Sequence, residues 1–263
     1  MPKLSVSILT KDDADTVAGA IASARFADEV VVVDNGSTDR TVEIATGLGV
    51  RVVHISAVGF GDMRARAADA CSHEWILSLD PDERCTPQVR DEIVALLAAG
   101  PAHDAYRVAR RNYMMGRWIK GSGWYPSYRG VQLFRKGRMH YTLDVTHEGY
   151  ELVGGGEPGT LQHEILHFPY RNLEELVYKV NFYSSLGAQK VAPRRASMWN
   201  AFGHGLWGFL KHFIFKAGFR DGWAGFVIAL GTFEERFYRY AKRTEELNGW
   251  ASPADQPLPR DPP

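Results

Sequence analysis

Trp75-Ile76-Leu77-Ser78-Leu79-Asp80-Pro81-Asp82-Glu83 decides how the rest of the chain is read. An apolar run of strand length stops abruptly at two carboxylates, Asp80 and Asp82, one residue apart around Pro81. Such a pair makes a compact oxygen site for a hard divalent cation, Mg²⁺ or Mn²⁺. These ions take one or two protein carboxylates and complete their shells with substrate phosphates. The competing reading is an acidic turn between a strand and a helix, with Thr86 capping a helix that starts at Pro87.

Toward the N-terminus the same rhythm repeats. Leu4–Leu9 reads as a strand, Thr16–Arg25 as a helix capped by Asp15, and Glu29–Val33 as a strand buried on both faces. Thr41–Leu48 is helical, Val50–Ile55 extended, and Asp62–Cys71 helical again. Short strands alternating with helices predict an α/β fold with a mostly parallel, Rossmann-like sheet. Right-handed crossovers place the strand C-termini along one edge, where ligands bind in open sheets. Thr10-Lys11-Asp12 ends the first strand, Asp34-Asn35-Gly36-Ser37 the second and Asp80-Pro81-Asp82-Glu83 the fourth. Asp34 also suits a turn, since Gly36 follows it.

Beyond residue 100 the alternation stops. Asp104–Arg111 and Val131–Phe134 read as strands, with an aromatic and glycine-rich stretch, Met114–Arg129, between them. Gly149–Gly159 is turn-rich. Leu173–Lys190 carries apolar residues at helical spacing and Asn172 as its cap. From Pro193 to Arg220 there are five Lys or Arg residues and no acid, interleaved with Trp199, Phe202, Trp207, Phe209, Phe213, Phe215 and Phe219. Basic, aromatic-rich helices of this kind lie in membrane interfaces and are drawn to anionic lipid; the alternative is a helical appendage packed on the main domain. The expected organisation is 1–170 catalytic, 171–250 helical and membrane-associating, and 251–263 a proline-rich disordered tail.

Composition narrows the classes. With 263 residues, 45% of them hydrophobic, the chain can build one large core with an appendage. Zero formal net charge leaves no global field for nucleic acid. Two cysteines, Cys71 and Cys85, make no disulfide framework and fit a reducing cytoplasm. No signal-peptide pattern precedes the first strand, and no uncharged apolar run reaches the ~18 residues of a spanning helix.

Leu4-Ser5-Val6-Ser7-Ile8-Leu9-Thr10, Val31-Val32-Val33-Asp34-Asn35-Gly36-Ser37-Thr38-Asp39 and the Trp75–Glu83 stretch together resemble family 2 glycosyltransferases of the GT-A fold. Gly123-Trp124-Tyr125-Pro126, Gln132-Leu133-Phe134-Arg135, Thr146-His147-Glu148 and Gly218–Gly225 are similar to segments of bacterial lipopolysaccharide core glucosyltransferases. The resemblance spans roughly Leu4 to Glu246. It implies inverting transfer of a sugar, with UDP-glucose as the expected donor and a lipid-linked glycan as acceptor, at the inner face of the inner membrane.

It also implies roles. Asp34 would contact the nucleotide base, with Thr10 and Asp12 beside it. Asp80 would face ribose or donor sugar and share the metal, and Asp82 would be the direct metal ligand. Arg64 would meet the diphosphate. The family's usual asparagine beside it is Ala65 here, its common alanine between the aspartates is Pro81, and an arginine common before Leu-Phe is Gln132. An inverting transfer needs a base for the acceptor hydroxyl; Glu148 is the expected one, with His147 and Asp144 as rivals. His167, after the acceptor region, would complete the metal site. Trp124 and Tyr125 would offer flat faces to acceptor sugars, and Arg129 would meet acidic or phosphorylated groups.

Three other readings stand beside this one. A polyprenyl-phosphate sugar synthase uses the same fold but has a transmembrane anchor that this sequence lacks. A binding protein without catalysis fits less well with Asp80-Pro81-Asp82-Glu83 and His147-Glu148 in place. A dinucleotide- or S-adenosylmethionine-dependent enzyme would carry Gly-x-Gly-x-x-Gly after the first strand, where Thr10-Lys11-Asp12-Asp13 stands.

Overall fold

A computed structural model describes residues 2–57, 59–142 and 149–250, without the side chain of Arg129. His147, Glu148, their rival Asp144 and the expected tail lie outside the described residues. The elements run β1 (Leu4–Thr10), α1 (Val17–Ala24), β2 (Glu29–Asp34), α2 (Thr41–Gly47), β3 (Arg51–His54), α3 (Phe60–Ala70) and β4 (Trp75–Leu79). Then come β5 (Glu83–Arg84), α4 (Pro87–Ala99), β6 (Ala105–Met114), β7 (Arg117–Trp118), β8 (Ser127–Arg135), β9 (Met139–Tyr141), β10 (Tyr150–Leu152) and β11 (Gly159–His167). The helices α5 (Leu173–Ala188), α6 (Met198–Leu210) and α7 (Gly222–Asn248) follow.

Two compact units form. One holds Met1–Tyr113 and Tyr125–Pro169; the other holds Met114–Trp124 and Tyr170–Pro263. The aromatic stretch is therefore divided, its first part belonging with the C-terminal helices.

The strands of the first unit run in the order β3-β2-β1-β4-β8-β6-β11-β5. β3, β2, β1 and β4 are parallel, while β8 runs antiparallel to both β4 and β6. Side chains alternate faces along a strand, so Val32 of β2 enters the main core with Ile8, Ile21, Leu77 and Ile93. Its neighbours Val31 and Val33 pack on the opposite side with Ala67. β2 is thus buried on both faces, which explains its unbroken valine run. The register Thr10↔Asp34↔His54 brings three strand ends level at one edge.

Local capping agrees with the sequence in two places. The Thr86 hydroxyl accepts from Val89 N–H at 3.2 Å, and Asn172 Oδ1 accepts from Glu175 N–H at 2.8 Å. It differs at α1: Thr16, not Asp15, holds the cap position, and its side chain makes no capping hydrogen bond. The Asp13 carbonyl already accepts from Thr16 N–H at 3.0 Å and Val17 N–H at 2.9 Å. A tight backbone turn has taken over the work of a capping side chain.

In the second unit α7 packs against both α5 and α6. Leu176, Ala224 and Ile228 form its core with Met114 and Ile119, and Trp124 lies against it, its ring 6.2 Å from that of Tyr170. Asp221 is buried and accepts from the amides of Lys120 at 3.1 Å and Gly121 at 2.7 Å. Gly225 touches the 218–221 turn so closely that a Cβ there would sit 1.9 Å from the Gly218 carbonyl oxygen. The Gly218–Gly225 segment is accordingly a packing motif. Among the described residues no helix is long and apolar enough to cross a membrane.

Candidate active site

The β4 run ends in a turn closed by Glu83 N–H donating to the Asp80 carbonyl at 3.0 Å. Pro81 takes the second position, where its fixed φ suits a turn. The Arg84 guanidinium braces the bend from below, donating to the Pro81 carbonyl at 2.8 Å. The substitution of proline between the carboxylates therefore stiffens the bend without abolishing it.

Asp80 and Asp82 leave this turn in different states. Asp80 lies between two arginines: Arg64 Nη2 is 2.7 Å from Oδ1 and Arg110 Nη2 is 3.2 Å from Oδ2. Arg64 also donates to Ser78 Oγ at 3.0 Å. Among the described residues Asp82 has no such clamp. Its Oδ2 stands 3.5 Å from His167 Nε2, and its Oδ1 is buried without a hydrogen-bond partner among the described residues. A buried carboxylate oxygen left unpaired is costly unless something positive meets it.

β-Pairing delivers His167 to this place. His167 is the register partner of Glu83 across the antiparallel β11–β5 contact, and Phe168 N–H donates to the Asp82 carbonyl at 2.9 Å. On its other side β11 pairs with β6, where His167 is level with Asn112. Asn112 Oδ1 lies 2.7 Å from His167 Nδ1, which fixes the ring with Nε2 directed toward Asp82. A histidine ring nitrogen and a carboxylate side by side suit a shared cation. Among the described residues no cluster of three or more His, Cys, Asp or Glu is assembled to hold a metal. Asp82 and His167 offer two ligands, which fits an ion whose remaining shell comes from diphosphate and water. His163, four residues back on the same strand, is occupied elsewhere, with Nδ1 2.9 Å from Glu92.

Beneath the turn lies a charged cluster that the sequence reading missed. Glu83 is fully buried and forms a contact ion pair with Arg110. It also accepts from Asp80 N–H at 2.9 Å and from Gln132 Nε2 at 3.2 Å. Burial pushes the Glu83 carboxyl upward against the pull of Arg110, and Asp80 adds to the rise. The Arg110 guanidinium, though burial opposes its charge, is held above its ordinary range by Glu83 and Asp80. Gln132, where arginine is common in the family resembled, thus meets a carboxylate already neutralised. Arg110 and Asn112 lie two apart on β6 and so face one way. Their signal was present as polar residues at alternate positions of an otherwise core strand.

At the β1 and β2 ends, Asp34 is only 1% exposed. Burial opposes its charge, but hydrogen bonds from Ser37, His54 and the Gly36 amide outweigh it and hold the carboxyl below its usual range. Thr10 donates to Asp13 Oδ2 at 2.9 Å. Asp12 sits at φ 58° and holds the loop after β2, accepting from Thr38 N–H at 2.7 Å and Asp39 N–H at 3.3 Å.

The expected acceptor residues are assigned to different units. Trp124 belongs to the second unit's core margin, as described. Tyr125 belongs to the first unit and donates to Glu164 Oε1 at 2.8 Å, which raises its own pKa. Arg111 pairs with the other Glu164 oxygen at 2.8 Å, and burial notwithstanding, these two donors lower the Glu164 pKa. Arg129 lies on β8.

Residues 5–149 match the family described as Glycosyl transferase family 2. A glycosyltransferase of Rickettsia felis is 31% identical over 94% of this chain and 91% of its own length. The lipopolysaccharide core biosynthesis glycosyltransferase LpsC of Rhizobium meliloti is 29% identical over 88% of each chain. Among solved structures, glucosyl-3-phosphoglycerate synthase from Mycobacterium tuberculosis, crystallised with Mn²⁺ and UDP, is 25% identical over 42% of this chain and 44% of that one, with a TM-score of 0.38. The chain belongs to glycosyl transferase family 2 and has the GT-A type of α/β fold.

Proposed function

We propose that the protein is an inverting hexosyltransferase that moves glucose from UDP-glucose to a lipid-linked glycan of the lipopolysaccharide-core type, at the cytoplasmic face of the inner membrane. The observation that carries this reading is the buried Asp82 Oδ1, without a hydrogen-bond partner among the described residues, with His167 Nε2 3.5 Å from the other oxygen of the same carboxylate. In this reading Asp82 and His167 hold Mg²⁺ or Mn²⁺. When bound, the ion neutralises the diphosphate as it leaves. The resemblance to LpsC supports the acceptor class.

The chain's own residues supply the rest. Asp34, kept ionised by its hydrogen bonds, receives the base of the nucleotide, with Thr10 shaping that strand end and Asp12 holding the loop. Asp80, oriented by Arg64 and Arg110, faces ribose and donor sugar. Arg64 thereby positions the carboxylate as well as adding positive charge near the diphosphate. Glu148 takes the proton from the acceptor hydroxyl as its oxygen attacks the anomeric carbon, with His147 adjacent. In the first unit, Tyr125 and Arg129 contribute to the acceptor side.

A screen of nucleotide sugars with and without Mg²⁺ or Mn²⁺, read by thermal shift and donor hydrolysis, tests the proposal. Stabilisation by UDP-glucose that requires the metal is the expected result. Metal-independent stabilisation, or a strong shift with NAD or S-adenosylmethionine, overturns it.

A further inference from the structure

Within the first unit a recess of about 490 Å³ is lined by Arg107 on β6, Tyr128 and Gly130 on β8, Tyr150 on β10 and Thr160 on β11. Its size falls in the range of small-molecule sites, roughly 300–1,000 Å³. Strand register gathers these groups: Arg107 is level with Thr160 of β11 and with Val131 of β8, the neighbour of Gly130. The Tyr150 hydroxyl accepts from Arg107 Nε at 3.2 Å and from Nη2 at 2.7 Å, which fixes the guanidinium. The Nη1–Nη2 edge of the fork points elsewhere. Among the described residues one carboxylate stands near it, Glu157, 3.6 Å from Nη2 and 86% exposed. An exposed contact of that length is worth little and yields readily to a better-placed anion.

Gly130 keeps the recess open. A glycine inside a strand weakens it and often marks a place where a ligand comes close. Packing does not demand this one: its backbone is not left-handed, and a Cβ there would meet Tyr150 ring carbons at an ordinary 3.9 and 4.0 Å. Gly130 and Tyr150 also line the narrow cleft that holds Arg64, Ser78 and Arg110. The register of β6 against β8 shifts on both sides of Arg107, which breaks the alternation of faces there. Arg107 and Arg110 therefore border the same two walls although three residues apart, about 10 Å along the strand. The recess thus adjoins the arginines that clamp Asp80.

A fixed guanidinium edge takes a carboxylate or phosphate through two parallel hydrogen bonds. One arginine, with Glu157 nearby, balances the single charge of a carboxylate better than the nearly double charge of a phosphate monoester. Tyr128 is 48% exposed and offers an aromatic face, and the exposed Thr160 hydroxyl both donates and accepts. Charge, ring face and hydroxyl together complement a pyranose that bears a carboxylate. We infer that the recess is an acceptor subsite for an acidic sugar, whose carboxylate meets the Nη1–Nη2 edge of Arg107 and whose ring lies against Tyr128. This deepens the proposed function and rests on it: the subsite selects glycans in which a sugar acid neighbours the hydroxyl that attacks the donor.

Methyl glucuronide is titrated into the full chain by ligand-observed NMR, beside methyl glucoside, which lacks the charge, and glucose 6-phosphate. R107Q is compared with G130V, which fills the recess, and with R40Q, which removes an exposed cation elsewhere in the first unit. Thermal midpoints show that each variant is folded. The wild type should prefer the glucuronide to the glucoside. R107Q should bind the glucuronide about 10- to 100-fold more weakly and the glucoside nearly as before, so that the preference disappears. A general loss of structure would weaken both sugars alike. R40Q should keep the wild-type preference, and G130V should weaken both sugars. Equal glucuronide binding by the wild type and R107Q, or no preference in the wild type, overturns the subsite. If glucose 6-phosphate is the sugar preferred and R107Q removes that preference, the recess takes phosphate and the carboxylate assignment fails. Loss of the glucuronide preference in R107Q, with no metal-dependent stabilisation of the wild type by UDP-glucose, supports the anion site and refutes the transferase reading; the reverse pattern refutes the subsite alone.

Discussion

His167 and Glu83 are register partners across the short antiparallel contact of β11 with β5. That single pairing joins two layers of the site. Glu83 turns inward to Arg110, while His167 stands over Asp82 with its other nitrogen held by Asn112. Two backbone hydrogen-bonding segments more than eighty residues apart are thereby made to present ligands at one point.

The Asp82–His167 pair predicts a division between ligand and support. Asp82→Asn should remove the metal-dependent thermal shift with UDP-glucose and lower turnover by roughly two orders of magnitude or more. Asn112→Ala, which releases the His167 ring, should weaken metal affinity about 10- to 100-fold while activity returns at high metal concentration. A metal titration of turnover for both variants checks this; an unchanged midpoint for Asn112→Ala would remove its supporting role.

Glu148→Gln should spare donor affinity and lower the chemical step by about 10² to 10⁴. Single-turnover kinetics against donor titration separates the two. Near-wild-type turnover would pass the role of base to His147 or Asp144.

Arg110→Met leaves Glu83 buried with its main counter-charge gone. The expected cost is roughly 3–5 kcal/mol in urea unfolding. Adding Glu83→Gln should recover a good part of it, because the unpaired charge is then removed. A loss below about 1 kcal/mol for Arg110→Met would show that the pair is not the anchor of the turn.

Asp12 occupies the left-handed region and accepts two loop amides. Asn tolerates that conformation and keeps an acceptor; Ala does neither. Asp12→Asn should therefore stay close to wild type, and Asp12→Ala should cost about 1–2 kcal/mol. Equal thermal midpoints for the two variants would contradict this account.

Acid should loosen the first unit through Glu29. Burial opposes its charge, but Ser5, Ser72 and Arg51 together lower its pKa from 4.5 to about 2. The folded value lies below the unfolded one, so the stabilisation is complete above pH 4.5 and is lost as pH falls toward 2. Its size is at most about 3 kcal/mol. Denaturant unfolding of Glu29→Gln should show a shallower fall over that window than the wild type; parallel slopes would exclude Glu29 as the source.

Much of this architecture was legible in the chain. Alternation of apolar strands with amphipathic helices identified the parallel half of the sheet, because burial imposes periods of 2 and 3.6 on neighbouring residues. Thr10, Asp34 and Asp80 could be placed on one edge for the same reason: parallel strands all end on the same side. Thr86 and Asn172 announced their helices through capping chemistry confined to three or four residues.

Other relationships needed the folded chain. Asp80 and Asp82 look alike in sequence, yet one is clamped by Arg64 and Arg110 while the other keeps an unpaired oxygen. Arg110, Asn112 and Gln132 meet the turn only through the registers of β6, β8 and β11, and register between distant strands leaves no local periodic trace. The division of the aromatic stretch between Trp124 and Tyr125 is of the same kind. Local pattern specifies which face a residue takes; only long-range pairing specifies what that face meets.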